Sequence, residues 1–250
     1  MKINCDMGES FGHWQLGCDE KIMPYLHMAN IACGMHASDP VVMQQTVRLA
    51  KQNQVMIGAH PGYPDMQGFG RRFMAMESND LIAFVLYQVG ALQAICKSES
   101  TSLSYVKPHG ALYNTMMKDD HVFQALLESL QRYGGELALV AMAVPDFAKY
   151  QAMAKKYGVT LWFEAFVDRR YDDTGRLMPR SVEGSCLESL NDVVAQARTL
   201  IEEGAVITFS GSKIAVKADT LCIHGDGPLA LPIAQQLTEG RVNAVDICSQ

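Results

Sequence analysis

Residues 28–60 read MANIACGMHASDPVVMQQTVRLAKQNQVMIGAH, and this stretch predicts one complete strand–helix–strand unit. Two apolar runs, 28–33 and 55–60, have the length and composition of buried strands. Between them, Asp39 is a good N-cap and Pro40 suits the first helical position, so a helix is predicted to run to about residue 52. A strand, a helix and a second strand in this order are typical of a parallel sheet.

The same alternation continues along the rest of the chain. Further strands are predicted near residues 1–5, 103–109, 137–142, 160–166 and 219–224. Helical spacing of apolar residues is found at 79–97, 119–133, 145–157, 189–203 and 228–239. Seven strands favour a closed or nearly closed parallel barrel, and a flavodoxin-like layered sheet is the alternative. Residues 205–218 predict a small hairpin that turns at Gly211 and Ser212.

Length and charge limit the classes of function. The 250 residues are 48% hydrophobic and 19% charged, which fits a single α/β domain spanning residues 1–250. Acidic residues number 27 and basic residues 21, so the formal charge is -6 and no field is expected that would attract nucleic acid or anionic lipid. We therefore expect small molecules or proteins as partners, with no nucleic acid and no membrane.

Targeting features also point to one compartment. The first residues do not have the pattern of a secretory signal, and we expect no apolar segment of membrane-spanning length. The seven cysteines are odd in number and have no C-x-x-C spacing, which fits reduced thiols. These features predict a cytoplasmic protein.

Ionisable residues follow the predicted strands, where a parallel barrel gathers its active-site side chains. Asp6 and Glu9 lie in a glycine-containing loop, where two acids can bind a metal or divide acid and base roles, with a solvated turn as the alternative. His36 precedes a helix N-terminus, which is suited to an anion, or it serves only a capping loop. His60 stands in a Pro/Gly turn that fixes its direction.

The fourth strand end carries Lys107 and His109, two residues apart and hence on one face of an extended segment. We expect both side chains to project from the strand end and not from the core. A lysine beside an apolar strand is costly unless it is paired, which favours a functional Lys107.

The last two strand ends are also rich in charge. Residues 166–180 contain four arginines and three aspartates, a set that can bind a carboxylate or a phosphate. A solvated loop is the competing interpretation, and it suits Asp172, Asp173 and Arg176 best. His224 and Asp226 lie beside the start of the last predicted helix.

Taken in order, these motifs resemble those of one family, the LamB/YcsF family. The matching segments are Asn4–Gly12, Ala29–Pro40, Gly58–Asp65, Val106–Asn114, Phe166–Arg180 and Cys222–Asp226, so the resemblance covers nearly the whole chain. Met35, Ser38 and Gly62 stand where the family pattern would have Phe, Gly and Ser, but the polar positions are intact.

The resemblance implies a distorted, TIM-like β/α barrel of seven parallel strands, similar to metal-dependent polysaccharide deacetylases. It also implies a cytoplasmic enzyme that cleaves 5-oxoproline to glutamate at the expense of ATP, together with two partner subunits of the same 5-oxoprolinase, B and C. The need for ATP agrees with the chemistry, because an unstrained five-membered lactam is a stable amide. Phosphorylation of the lactam oxygen would create a leaving group before activated water attacks the ring carbon.

The chain lacks the G-x-x-x-x-G-K-[ST] phosphate loop, so ATP, with Mg²⁺, is expected at a different kind of site. Candidate positions are the helix N-termini after His36 and His224, or a site shared with a partner subunit. Two other classes of function stay open. One is a metal-dependent deacetylase or amidase that needs no ATP, and the other is a non-catalytic substrate-binding subunit.

Residue roles follow from the resemblance and from the strand-end positions. We assign catalytic roles to Asp6, Glu9, His60, Lys107 and His109, with Lys107 stabilising oxyanion or phosphate charge and His109 transferring protons. Substrate binding is assigned to Asn30, His36, Arg170, His224 and Asp226. For a tightly bound metal, the candidate ligands are Asp6, His36 and His60. The competing view, which we favour, is that these three residues orient water and substrate and that Mg²⁺ enters only with the nucleotide.

Overall fold

The computed structural model describes residues 1–225, 227 and 229–245, with side chains described as far as residue 238. In chain order, the strands are β1 (Lys2–Met7), β2 (Met28–Ala32), β3 (Met56–His60), β4 (Leu103–Val106), β5 (Ala138–Met142), β6 (Leu161–Phe166), β7 (Ala205–Ile207), β8 (Lys213–Ala215) and β9 (Thr220–Ile223). The helices are α1 (Asp19–Ile22), α2 (Pro40–Gln52), α3 (Ser78–Ser98), α4 (Gly110–Met116), α5 (Asp120–Tyr133), α6 (Phe147–Tyr157), α7 (Leu190–Glu203) and α8 (Ala230–Val245), and a short 3-10 helix, Met23–Tyr25, follows α1.

Strands β1 to β6 and β9 close into a parallel barrel. β1 pairs with β2 on one side and with β9 on the other, and β6 pairs with β9 to complete the ring. Each of these strands lies where the sequence predicts one, so the seven-stranded barrel is confirmed and the flavodoxin-like sheet is excluded. Because all of the strands are parallel, their carboxyl ends meet at one rim of the barrel.

Helix α2 shows how the local sequence sets an element boundary. The Asp39 carboxylate accepts hydrogen bonds from the backbone N–H groups of Val41, at 2.8 Å, and Val42, at 3.1 Å, and Pro40 occupies the first turn. This is the predicted N-cap. The small hairpin is confirmed as well, because β7 and β8 pair antiparallel and Gly211 supplies the left-handed turn with φ +90°.

The end of β4 differs from the prediction. The strand ends at Val106, and the chain continues beside the extension of β3: Lys107 N–H donates to the Ala59 carbonyl and His109 N–H to the Pro61 carbonyl, both at 2.8 Å. The intervening proline has no N–H to add to the ladder. Helix α4 then starts at Gly110, directly after His109, and the sequence did not predict this helix.

Helix α3 corrects a second expectation. It has 21 residues and a mean hydropathy of 1.5, so by length and composition alone it is apolar enough to span a membrane, although the sequence analysis expected no such segment. In the barrel, α3 packs against β3, β4, α2 and α5. Its buried Gln88 hydrogen-bonds the N–H and the carbonyl of Gly62, at 2.9 and 3.0 Å. The apolar composition of α3 is therefore explained by packing on the barrel.

Candidate active site

A pocket with a volume of about 320 Å³ opens at the carboxyl ends of the barrel strands. Asp6 from β1, His60 from β3 and Lys107 after β4 line it, together with His109 and His224. These residues come from strands distributed around the barrel, as expected when parallel strand ends share one site. The predicted convergence of charged strand ends is therefore present in the structure.

Asp6 stands at the centre of the hydrogen-bond network. Its Oδ1 accepts from Asn30 Nδ2 at 2.8 Å and from Lys107 Nζ at 2.9 Å, and it lies 3.4 Å from His60 Nε2. Burial by itself would raise the pKa of Asp6, but the charges of His60 and Lys107 outweigh burial and hold that pKa well below its usual range. Asp6 is therefore an ionised carboxylate.

Lys107 is 3% exposed, which corrects the expectation that it projects away from the core. Besides Asp6, its Nζ contacts Asn4 Oδ1 at 3.2 Å, Cys222 Sγ at 3.1 Å and Glu164 Oε2 at 3.2 Å. Burial would lower the pKa of Lys107, but Asp6, Cys222 and Glu164 raise it well above its usual value. An ammonium group has three donors, and these are directed to the four acceptors. Lys107 therefore positions Asp6, and its predicted role in stabilising oxyanion or phosphate charge stays a prediction.

Asn30 lies in the barrel interior beneath Asp6 and is fully buried. Its Nδ2 donates to Asn4 Oδ1 at 2.8 Å as well as to Asp6, and its Oδ1 accepts from the Tyr105 hydroxyl at 2.7 Å. A side chain held on both ends in this way cannot reach a ligand in the pocket. Asn30 therefore orients the Asp6 carboxylate, and the substrate contact that we expected of it is not supported.

His60 and His109 form a hydrogen-bonded couple at one side of the pocket. His60 Nδ1 lies 2.6 Å from the Lys107 carbonyl and His109 Nε2 lies 2.8 Å from the Phe69 carbonyl. Carbonyl oxygens only accept, so both of these nitrogens carry hydrogen. The facing nitrogens, His60 Nε2 and His109 Nδ1, are 3.0 Å apart, and a hydrogen bond between them requires a third ring proton. A couple bonded in this way carries one positive charge.

The position of that proton follows from its surroundings. Burial, together with the charge of His60, lowers the pKa of His109 to about 3, so His109 is the neutral member. His60 Nε2, the other nitrogen of this contact, faces Asp6 at 3.4 Å. Glu9 Oε1 lies 3.6 Å from His109 Nδ1 on the other side. Two carboxylates thus compensate the charge of the couple.

His36 lies behind this couple and does not line the pocket. It is fully buried, its ring stacks on His109 at 3.7 Å, and its Nε2 lies 3.3 Å from Glu9 Oε1. Burial lowers the pKa of His36 well below its usual value, so the ring is neutral and donates to Glu9. The anion site expected beside it is also unsupported, because the Asp39 carboxylate already occupies the N-terminus of α2.

His36 and His109 cannot both bind one metal ion as their rings are arranged. Glu9, His36, His60 and His109 place one donor atom each within 4.8 Å of one another, whereas Asp6 groups with Cys222 and His224. The rings of His36 and His109 are parallel to within 3°. Parallel rings cannot both direct an in-plane lone pair at one ion at the usual distance of about 2.0–2.1 Å. The predicted set is divided between the two groups, since Asp6 belongs to one and His36 and His60 belong to the other.

A second imidazole faces the pocket from the opposite side of the barrel. His224 Nδ1 lies 3.0 and 2.8 Å from the two oxygens of Asp168, and the His224 N–H also reaches Asp168 Oδ2 at 3.2 Å. The ring stacks on Phe166 with centroids 5.6 Å apart. Burial would raise the pKa of Asp168, but His224 outweighs burial and lowers it. An ionised carboxylate therefore fixes the direction of this ring.

Basic side chains surround the mouth of the pocket. Arg71, Lys118 and Arg180 are exposed there, and Arg169 and Arg176 line the wall beside them. Among the described lining residues, the acidic ones are Asp6 and Glu9 at the floor. In a chain with a formal charge of -6, such a lining favours an anionic ligand.

The loop after β6 needs two corrections. Arg170, expected to bind substrate, does not line the pocket, and its guanidinium lies 5.9 Å from the Phe209 ring. Arg176, expected in a solvated loop, lines the pocket and donates to the Met117 carbonyl at 3.0 Å. The predicted substrate residue Asp226 lies outside the described residues.

Two acids of this site, Asp168 and Glu164, were given no role of their own from the sequence. Asp168 follows β6 as His224 follows β9, and the register that pairs Phe166 with Cys222 brings both side chains together two residues later. Glu164 is fully buried inside β6, where it faces Lys107. An acid within an otherwise apolar predicted strand was the available signal, since such a charge requires a partner.

The sequence model described as the LamB/YcsF family matches residues 1–247. The chain belongs to the LamB/YcsF family. The resemblance seen in the motifs is thereby confirmed for the family as a whole.

Named members of the family are similar over most of their length. The protein named as the A subunit of 5-oxoprolinase in Vibrio parahaemolyticus is 48% identical over 239 residues, which is 96% of this chain and 94% of the relative. A protein of the same name from Chromohalobacter salexigens is 50% identical over 224 residues, or 90% of each chain. The crystal structure of the lactam utilization protein from Thermus thermophilus superposes with a TM-score of 0.90 at 40% identity, covering 98% of this chain and 96% of that one.

Proposed function

We propose that this chain is the A subunit of an ATP-dependent 5-oxoprolinase and that it opens the lactam ring of 5-oxo-L-proline to give L-glutamate. The observation that carries the proposal is the arrangement of the proton-carrying couple, His60 and His109, opposite a second imidazole, His224. Asp6 lies between them. Hydrolysis of an amide requires a base for the attacking water and an acid for the leaving nitrogen, and this pocket offers both kinds of group.

The charges at the mouth suit the substrate. A 5-oxoproline molecule carries one carboxylate, and phosphorylation of its lactam oxygen would add a second anionic group. Lys118 and Arg180 are exposed at the mouth and can attract both without displacing a structural contact at the floor. We assign the carboxylate and phosphate groups to this rim and the lactam ring to the floor near Asp6.

ATP is proposed to supply the driving force, because the lactam is a stable amide. The chain has no phosphate loop, and the N-terminus of α2 is occupied by Asp39. The rim of the pocket is therefore the proposed place at which the phosphates, accompanied by Mg²⁺, meet this chain. The relatives are named as one subunit of an enzyme, which supports a complex, and we propose that partner subunits B and C act with this chain in the cytoplasm.

A gene deletion tests the proposed activity in the cell. A strain that lacks this protein should accumulate 5-oxoproline, measured by mass spectrometry of extracts, and the wild-type gene should restore the normal level. A gene carrying His60→Gln should not restore it, whereas His121→Gln, an exposed residue at the start of α5, should. Normal 5-oxoproline in the deletion strain would contradict the proposal.

A further inference from the structure

Asp168 and His224 form a hydrogen-bonded pair, and the register between β6 and β9 brings the two residues together. Strands β6 and β9 are neighbours, and Phe166 lies opposite Cys222. Two residues beyond this pair, each chain segment has left its strand, and the two side chains meet through contacts of 2.8 and 3.0 Å. The same carboxylate accepts the backbone N–H of His224. The pair is therefore fixed by backbone as well as side-chain contacts.

The contact determines which ring nitrogen of His224 carries hydrogen. An ionised carboxylate can only accept, so the nitrogen that faces Asp168, Nδ1, must be the donor. In the neutral ring, Nε2 then keeps its lone pair. The Phe166 ring stacked on the imidazole holds its plane, and the side chain is 16% exposed where it lines the pocket. Among the described residues, Asp6 on β1 and Cys222 on its own strand each place a ligand atom within 4.8 Å of one on His224.

The two imidazole systems differ in what they can do with a proton. In the His60–His109 couple, all four ring nitrogens are engaged, and a proton shared between the facing nitrogens can be given away. In His224, one nitrogen is engaged and the other has a lone pair that can take a proton. β3 and β9 stand on opposite sides of the ring of strands, so the two systems face each other across the pocket.

We propose that His224 is the base that activates the attacking water, that Asp168 is its positioning residue, and that the His60–His109 couple is the acid that protonates the departing ring nitrogen. This inference rests on the proposed lactam-opening function and deepens it. It assigns the two proton transfers of the reaction to opposite walls of one pocket.

In the proposed reaction, water adds to the lactam carbon before the ring opens. The water oxygen forms a bond to the lactam carbon, and one water proton moves to Nε2 of His224. The C–N bond then breaks, its electron pair stays on the ring nitrogen, and that nitrogen takes the shared proton of the His60–His109 couple. A carboxyl group and an amine result. Transfer of the proton from His224 back to the couple, through solvent, restores the starting state.

The test is Asp168→Asn, measured in the complete system with ATP and the partner subunits. The amide can donate to Nδ1 of His224 and so reverse the tautomer, as is known for carboxylates that orient a catalytic imidazole. We expect kcat for glutamate release to fall at least about 100-fold, with KM within about threefold. Nitrogen-15 NMR of histidine-labelled protein should show His224, identified by its loss in His224→Gln, changing from the Nδ1–H to the Nε2–H form.

The matched control is Asp173→Asn in the same loop, because Asp173 is exposed and bonds Thr208 and Ser210 away from the pocket. This variant should keep wild-type kcat and the Nδ1–H form of His224. The inference is overturned if Asp168→Asn keeps kcat within about threefold of wild type or leaves the tautomer unchanged. Failure of the wild-type complex to release glutamate would contradict the proposed function instead, and the NMR result would still decide the role of Asp168.

Discussion

The Lys107 ammonium group lies 2.9 Å from Oδ1 of Asp6, and both groups are shielded from solvent at the floor of the pocket. On its other side, Lys107 lies 3.2 Å from Glu164, so one positive charge stands between two carboxylates. A pair of buried charges is costly to separate, because each ion loses hydration that only its partner replaces. The Asp6 carboxylate therefore depends on Lys107 for a neighbouring positive charge.

This burial predicts the effect of Lys107→Met. The variant leaves Glu164 and Asp6 without their cation, so the free energy of unfolding at pH 7 should fall by about 3–5 kcal/mol. Urea denaturation followed by circular dichroism measures the change. The double variant Lys107→Met/Glu164→Gln removes the excess charge and should recover about half of the loss or more.

Lys97→Met, on the exposed end of α3, is the control and should leave stability unchanged within about 0.5 kcal/mol. Equal stability of Lys107→Met and wild type would show that the buried network does not hold the barrel together.

The barrel could be predicted from the sequence because the features that set its strands and helices are local. Apolar runs such as Met56–His60 and an N-cap such as Asp39 act through neighbouring residues, so a pattern of strands and helices can be read directly. The end of β4 was missed because hydrogen bonds to Ala59 and Pro61, not the local sequence, decide where the chain turns. Helix α3, Ser78–Ser98, lies where the sequence predicts a helix, and only its membrane-like length and apolar composition went unrecognised.

Stability should fall as the pH is lowered from about 6.5. The pKa of His36 is held well below its usual value by burial, and that of His109 is lowered to about 3. Below about pH 6.5 the unfolded chain binds a proton at each of these residues, but the folded protein does not, so each group costs about 1.4 kcal/mol per pH unit down to its folded pKa.

Urea midpoints at pH 7, 6, 5 and 4 test this sign. His36→Gln should reduce the slope, because it removes one of the two residues that must stay neutral when folded, while the exposed His121→Gln should leave the slope unchanged. A stability that stays constant or rises between pH 6 and pH 4 would contradict the neutral, buried state of these rings.

The basic rim should act on binding and not on chemistry. Lys118→Ala and Arg180→Ala each remove an exposed charge at the mouth, so KM for the anionic substrate should rise about threefold to tenfold with kcat nearly unchanged. The dependence of kcat/KM on salt should weaken in both variants. Arg198→Ala, exposed on α7 away from the pocket, is the control. A fall in kcat without a change in KM would instead place the rim residues in the chemical step.

The purified protein should contain little bound transition metal. Because the stacked rings of His36 and His109 do not suit a common ion, protein purified without chelator should contain zinc, manganese or nickel well below one equivalent, measured by elemental analysis. Near-stoichiometric metal that disappears in His60→Ala would contradict this arrangement and revive the metal-dependent alternative.

The roles within the site were harder to predict than its location. That His60, His109 and His224 would meet follows from their positions after parallel strands. Which of them faces the pocket depends on distances of a few ångströms between strands far apart in sequence, so His36 and Asn30 were assigned to substrate although both are buried. Asp168 was given no role of its own because only the β6–β9 register brings it to His224.

The central claim is that this chain opens the lactam as one member of an ATP-dependent complex. Its most direct test is to mix 5-oxoproline and ATP with this chain alone, with subunits B and C alone, and with all three, and to measure glutamate and ADP. We predict that glutamate forms only in the complete mixture, in proportion to ADP. Cleavage by this chain alone without ATP, or full turnover by B and C in its absence, would contradict the account.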